Sequence, residues 1–98
     1  MSLATLVEPE SIGVIGASAD PSKAGYLLLE NIVVNGYEGT VYPINPRAES
    51  ILGLKCYPDV TALPEAPDVV FFLVPAERLK ASIEQCVARG VKAGVIVT

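Results

Sequence analysis

The sequence predicts an α/β fold in which a parallel sheet carries helices on both faces. Three short apolar runs, at 11–16, 39–44 and 69–74, are separated by stretches of helical or turn-like character. Buried parallel strands read as continuous apolar segments rather than alternating ones. A fourth apolar run, at 91–98, follows a second helical pattern, so strands and helices alternate along the chain. This alternation is typical of a parallel sheet with crossover helices.

The first helix is predicted over residues 22–35. Pro21 is tolerated in a first helical turn, and the adjacent Asp20 can cap that turn. Asn35 and Gly36 end the pattern, since these residues favour the backbone that terminates a helix. Between these ends, apolar residues recur at helical spacing: Leu27, Leu28, Ile32 and Val33.

The second helix is predicted to begin at Pro75, because proline is favoured at the first helical position, and to end at Gly90. The 45–66 segment shows little periodicity, apart from a short helix or turn at 59–63 capped by Asp59. One face of the second helix is apolar and is formed by Leu79, Ile83, Cys86 and Val87.

Together these elements predict a Rossmann-like α/β fold, with helices on both faces of the sheet. Its four parallel strands are expected in the spatial order 3-2-1-4 when numbered along the chain. A single domain spanning 1–98 is expected, because 98 residues suffice for one core. The last predicted element is a strand, so we expect the chain to be the N-terminal fragment of a longer multidomain protein.

Composition excludes several functional classes. A net charge of −4 argues against a nucleic-acid partner, so a bound anion must be held by a local site. No apolar stretch or basic leader predicts a membrane segment or export. Cys56 and Cys86 stand alone in a chain without histidine, which excludes the common zinc patterns. We expect reduced, buried thiols in a cytoplasmic protein.

The loop after the first strand has the context of a phosphate-binding turn, because it joins a strand to a helix. Gly16 allows a sharp turn and a close approach of backbone N–H groups to an anion. Ala17 and Ser18 keep the path narrow, and the serine hydroxyl can donate. Lys23 adds a charge near the helix, and Gly25 permits close approach in its first turn. The spacing does not match G-x-G-x-x-G, so a tight turn built only for packing is the alternative.

The loop after the second strand contains Asn45, Pro46 and Arg47, and no acid lies within 43–48. A carboxylate here would accept from an unphosphorylated ribose, whereas Arg47 attracts a phosphorylated one. Pro46 holds Asn45 extended, so that its amide can bond from a fixed position. The loop therefore predicts NADP or coenzyme A. The alternative is an Asn-Pro turn with Arg47 as a solvated surface charge, weakly paired with Glu49.

The loop after the third strand begins with Val74 and Pro75. Ligands of open α/β sheets bind at the carboxyl ends of the strands, so these residues can form an apolar wall beside an adenine.

Three stretches carry a family resemblance: "PESIGVIGAS", "SKAGYLLLENIVVNGYEGTVYPINP" and "ILGLKCYPDV…LPEAPDVVFFLVPAE". Together they resemble the N-terminal CoA-binding domain of NDP-forming acyl-CoA synthetases. This family includes ADP-forming acetate–CoA ligase and relatives of the succinyl-CoA synthetase α subunit. The resemblance covers about Leu6 to Thr98, and its combination of motifs is more specific than any single one.

The resemblance implies a position for coenzyme A. Its ADP portion is expected over Gly16 to Ser18, with Lys23 near the phosphates. The segment Asn45 to Arg47 is expected to flank the adenosine, with Arg47 at a basic position of the family. Val74 and Pro75 are expected beside the adenine.

The resemblance also implies what the chain lacks. Synthetases of this family pass a phosphoryl group through a histidine of a downstream domain, with an ATP-grasp module. A chain without histidine has no such step, and no catalytic residue is predicted. We therefore expect a recognition module for CoA or acyl-CoA, whose partners are the downstream ligase and ATP-grasp domains. Two alternatives stay open: a CoA-responsive regulator, alone or fused to an acetyltransferase, and an NAD(P)-binding domain.

Overall fold

The computed structural model describes residues 9–97, and its elements follow the predicted alternation. In chain order they are β1 (Ser11–Ile15), α1 (Ala24–Val34), β2 (Thr40–Ile44), β3 (Ser50–Ile51), β4 (Leu54–Lys55), a 3-10 helix (Val60–Ala62), β5 (Val69–Phe72), α2 (Ala76–Arg89) and β6 (Ala93–Ile96).

The predicted fold class is confirmed. Four strands form a parallel sheet, in which β1 pairs with β2 and β5, and β5 pairs with β6. The first helix is shorter than the predicted 22–35, and the second begins one residue after Pro75, differences of the size expected at helix ends. Residues 1–8 and 98 of the predicted domain lie outside the described residues.

The predicted strand order 3-2-1-4 is wrong. The sheet runs β2-β1-β5-β6, so the third long strand pairs with β1 and β2 lies at an edge. Among the described residues, the outer edge of β2 pairs through one short bridge. Tyr57 N–H donates to the Pro43 carbonyl (3.0 Å), and Asn45 N–H donates to the Tyr57 carbonyl (2.9 Å). Because the Pro43 carbonyl faces outward, its nitrogen does too, and the missing N–H disfavours a full ladder there.

Each face of the sheet packs against different elements. On one face, Val14 of β1 and Leu29 of α1 are fully buried in a cluster that includes Ile12. On the other face, a second cluster joins Phe72 to the 3-10 helix and to Cys86 of α2. The alternation of side chains along each strand supplies both cores from the same apolar runs.

A small hairpin of β3 and β4 lies in the stretch that showed little periodicity. Ile51 pairs with Leu54 across a two-residue turn, and Ile51 is buried. Leu52 and Gly53 both have positive φ, 52° and 77°, as a tight two-residue hairpin turn requires. Leucine is unusual in that position, so the sequence lacked the Asn-Gly signal that predicts such turns.

The predicted cap of the first helix by Asp20 is wrong, because α1 begins after Lys23 without a side-chain cap and the Asp20 carboxylate accepts from Ser22 instead. The helix ends predicted at Asp59 and Gly90 are confirmed. Asp59 caps the 3-10 helix, where its side chain accepts from Thr61 N–H at 2.9 Å. Gly90 ends α2 with a left-handed φ of 96°, and its N–H reaches the carbonyls of Cys86 and Val87.

Candidate functional site

A cavity of about 450 Å³ opens at the carboxyl ends of β1, β2 and β5. The chain leaves β1 toward β2 on one side and leaves β5 toward β6 on the other, so the connections diverge between β1 and β5. A crevice at such a switch point is the usual ligand site of an open α/β sheet.

Most of the sequence-predicted site residues meet in this cavity. Those that line it are Gly16, Ala17, Asn45, Pro46, Arg47, Val74 and Pro75. Ser18, Lys23 and Gly25 lie outside its lining. The residues directly after a strand line the cavity together, because the carboxyl ends of parallel strands share one edge.

Gly16 makes the turn after β1 possible. Its φ is 94°, and a Cβ added there would lie 2.2 Å from the carbonyl oxygen of Leu73. Both facts require glycine, since L-residues rarely adopt this backbone and no side chain fits against a neighbouring backbone. The turn therefore lies directly against the end of β5.

Gly25 is a packing residue in this structure. It is buried in the first turn of α1, where an added Cβ would lie 2.0 Å from the Gly16 carbonyl oxygen. Its small size lets the helix approach the turn, and the neighbour that it approaches is protein backbone. Ser18 Oγ accepts from Asp20 N–H (3.0 Å), and Lys23 is exposed just before α1.

Asn45 ties two loops together. Its Nδ2 donates to the Ala17 carbonyl (3.0 Å), and its Oδ1 accepts from the N–H groups of Arg47 (2.7 Å) and Ala48 (3.2 Å). The amide expected to serve a ligand thus mainly serves the protein. It fixes the turn after β1 and the loop after β2 relative to each other.

Arg47 is exposed at the rim of the cavity. Within residues 9–97, Arg47 forms no ion pair with Glu49 or with another acid. The ion pair found there joins Lys80 to Glu84 at 4.0 Å. The guanidinium is therefore available to an anion, and its backbone is held by Asn45.

Sequence reasoning missed one wall of the cavity. Arg78, Ser82 and Gln85 line it from α2, at a spacing that brings all three to one side of a helix. The spacing of these polar residues was already visible in the helix predicted from Pro75. Only the apolar side of that helix was interpreted, so the polar side next to it was missed.

Asp59 also lines the cavity, from the segment before the 3-10 helix. Hydrogen bonds from the Thr61 hydroxyl and the Thr61 N–H lower the pKa of this carboxyl, so it is ionised at neutral pH. No acid follows β2 directly, yet one reaches the same cavity from later in the chain. Its position depends on an irregular path that no periodicity reveals.

The described thiols lie away from this chemistry. Cys56 and Cys86 are both buried and neither lines the cavity. Burial raises the pKa of both thiols, that of Cys86 to about 11, which keeps them protonated and unreactive. Among residues 9–97, no three His, Cys, Asp or Glu side chains gather as a metal site, and neither helix has the length and apolarity to cross a membrane.

Curated relatives match this chain as one part of a longer protein. Acetate–CoA ligase (ADP-forming) II of Archaeoglobus fulgidus is 40% identical over 96 residues, which are 98% of this chain and 14% of that protein. The α subunit of acetate–CoA ligase (ADP-forming) I of Pyrococcus furiosus is 38% identical and matches 100% of this chain and 22% of its own length. The chain thus spans less than a quarter of these relatives.

Solved structures give the same result. The acetyl-coenzyme A synthetase 1 of Ca. Korarchaeum cryptofilum, in complex with phosphate and ADP, superposes with a TM-score of 0.95 at 44% identity. That match covers 99% of this chain and 21% of the synthetase. A conserved hypothetical protein of Pyrococcus furiosus superposes at 0.82 with 34% identity, over 90% of this chain and 74% of its own.

The resemblance seen in the sequence is thereby confirmed. A family model described as CoA binding domain matches residues 10–98, nearly the whole chain. Its relatives include ADP-forming acetate–CoA ligases, and the cavity lies where this fold binds ligands. The chain belongs to the CoA binding domain family and is related to the NDP-forming acyl-CoA synthetases.

Proposed function

We propose that this chain is the coenzyme A-binding domain of an NDP-forming acyl-CoA synthetase of the ADP-forming acetate–CoA ligase type, and that it is inactive alone. The ligand is CoA or acyl-CoA, and the partners are ligase and ATP-grasp domains supplied elsewhere. The greater length of the relatives supports this proposal, since the chain matches 14% and 22% of the length of two such ligases. The chain also contains no histidine for phosphoryl transfer.

The exposed guanidinium of Arg47 at the cavity rim carries the choice of ligand. A guanidinium is always charged and binds phosphate through a planar fork of donors. Coenzyme A differs from dephospho-CoA only by the phosphate on its ribose. Arg47 therefore recognises this 3′-phosphate.

The rest of the ADP portion follows the carboxyl edge of the sheet. The diphosphate lies over the turn at Gly16 and Ala17, where backbone N–H groups approach an anion. Ser18 accepts from Asp20, so its own hydroxyl hydrogen stays available to a phosphate. Lys23 acts from outside the cavity lining, and Gly25 acts indirectly by supporting the turn.

The adenine lies against an apolar wall. Val74 and Pro75 line the cavity at the end of β5, and Pro46 lines it after β2. A flat aromatic base can pack between such side chains without needing a charged partner.

Calorimetric titration of the 98-residue chain with CoA and dephospho-CoA tests this function. The wild type is expected to prefer CoA by about tenfold, which corresponds to the roughly 1.5 kcal/mol of a hydrogen bond to a charged group. Arg47→Ala should bind both ligands equally. Lys92→Ala is the control, because it removes the same charge at an exposed position away from the cavity. Equal affinities in the wild type would contradict the assignment of the 3′-phosphate.

A second function is a CoA-responsive regulator, alone or fused to an acetyltransferase. The observation in its favour is the hypothetical protein of Pyrococcus furiosus, of which this chain covers 74%. The gene sequence distinguishes the two functions. A following α/β domain with a phosphoryl-accepting histidine supports the ligase, and an acetyltransferase domain or none supports the regulator.

A third function is NAD(P) binding, and Asp59 is the observation that favours it. Its carboxylate lines the cavity and can accept hydrogen bonds from a ribose. Titration with NADH should give weaker binding than CoA, because Arg47 has no ribose phosphate to bind in NADH. Tighter binding of NADH would replace the CoA assignment.

A further inference from the structure

Two arginines enter the cavity from opposite sides of the turn after β1. Arg47 follows β2, whereas Arg78 lies in the first turn of α2, which follows β5. Because β1 lies between β2 and β5, their carboxyl ends are about 10 Å apart, twice the spacing of neighbouring strands. The Gly16 turn lies between them. A ligand with two separate phosphate centres therefore meets one arginine on each side.

Arg78 is free to bind an anion. Its backbone N–H donates to the Pro75 carbonyl (2.9 Å), and its guanidinium donates to no other described residue. Within residues 9–97 no acid lies within ion-pair distance of its guanidinium. Arg89 at the other end of α2 differs, because its guanidinium donates to the Leu63 carbonyl (2.8 Å). One arginine of the helix thus stabilises the fold, and the other points its charge toward solvent and the cavity.

The charge balance of the cavity favours phosphate on the arginine sides. Asp59 is the acid in its lining, and Thr61 holds this carboxylate through hydrogen bonds. No ion pair joins Asp59 to Arg47 or Arg78 in the described part of the chain. Two unpaired cations against one anion make the cavity locally positive in a chain of net charge −4.

The position of Arg78 distinguishes it from Arg47 along the ligand. On the proposed function, the diphosphate of CoA lies over the Gly16 turn. Gly16 itself lies directly against the end of β5. Arg78 lies in the first turn of the helix that follows β5, so it approaches the Gly16 turn from the side opposite Arg47. The partial positive charge of the α2 N-terminus adds to its attraction for an anion.

We propose that Arg78 binds the diphosphate of the ligand, while Arg47 binds the phosphate on the ribose. This inference rests on the proposed function and adds a second, independent phosphate contact to it. Arg78 therefore affects the affinity for every ligand with an adenosine diphosphate portion, and Arg47 affects only those with the extra phosphate.

The test is a two-by-two comparison of variants and ligands by calorimetry. Arg78→Ala should weaken CoA and dephospho-CoA by the same factor, about tenfold, and should leave the preference for CoA unchanged. Arg47→Ala should weaken CoA alone. Arg78→Lys should recover part of the loss, because it keeps the charge and loses the fork. Lys80→Ala is the matched control, because Lys80 is exposed on the same helix but does not line the cavity.

Each contrary outcome has a separate meaning. Unchanged affinity of Arg78→Ala for both ligands overturns the inference and leaves the proposed function standing. Loss confined to CoA also overturns it, because Arg78 would then bind the ribose phosphate. A wild type that binds neither ligand refutes the proposed function itself. Thermal unfolding of each variant verifies its fold, and the exposed Arg78 should tolerate substitution.

Discussion

The turn after β1 and the two arginines line the same cavity, yet they are held in opposite ways. Gly16 is pressed against the backbone of Leu73, where even one added carbon would overlap an oxygen. Arg47 and Arg78 are exposed, and no described side chain neutralises them. Shape and charge are therefore separated in this cavity, because the turn sets its shape and the arginines supply its positive charge. Changes in the turn should alter stability, whereas changes in the arginines should alter affinity.

The largest expected effect is that of Gly16→Ala on stability. The new side chain combines an unfavourable positive φ with an overlap at 2.2 Å, so we expect a loss of about 3 kcal/mol or more in the free energy of unfolding. Urea denaturation measures it. Gly36→Ala is the matched control, because Gly36 has a φ of 77° and open space around its added Cβ. It should lose only about 1–2 kcal/mol, and equal losses would show that the contact with Leu73 is unimportant.

Asn45→Ala should have an intermediate effect and should break the separation of stability from affinity. The variant loses one donated and two accepted hydrogen bonds, at a cost of about 1–3 kcal/mol in the free energy of unfolding. Its affinity for CoA should also fall, because the loop of Arg47 is no longer fixed. Asn35→Ala is the control, at an exposed asparagine at the end of α1, and should stay within about 0.5 kcal/mol. If Asn45→Ala lost no more unfolding free energy than Asn35→Ala, the hydrogen bonds that join the two loops would not contribute to stability.

The smallest expected effect is the pH dependence that comes from Asp59. Thr61 lowers the pKa of this carboxyl in the folded state, so its stabilising contribution is present at neutral pH. That contribution is lost as the pH falls through the lowered value. Asp59→Asn keeps an acceptor for the helix cap and does not titrate.

Urea denaturation of both proteins over a range of acidic pH should therefore show their stability difference shrinking as the pH falls. Asp20, whose pKa is lowered by hydrogen bonds from Ser22, is present in both proteins and cancels. A constant difference would contradict the role of Asp59.

The features that the sequence predicted were those encoded within a few residues. Apolar runs predicted the long strands, and Asp59 and Gly90 predicted two helix ends. The strand order failed because it depends on which edge of β2 is usable. Pro43 contained that information, since a proline whose missing N–H faces outward belongs on an edge strand.

The site divides in the same way. Residues directly after strands, such as Gly16, Asn45 and Arg47, were found because topology brings strand ends together. Arg78 was missed because its contribution depends on the rotation of α2 about its axis. Asp59 was missed as a cavity residue because the irregular segment before it sets its position. Gly25 was predicted near the ligand, but its neighbour proved to be the turn itself.

The amide of Asn45 has a consequence for the thermodynamics of binding. By joining Ala17 to the backbone of Arg47 and Ala48, it orders two loops before any ligand arrives. A preorganised site loses little conformational entropy on association, so more of the interaction energy appears as affinity. It also fixes the two loops relative to each other, so on the proposed function the phosphate and the ribose of the bound nucleotide are recognised at a fixed separation.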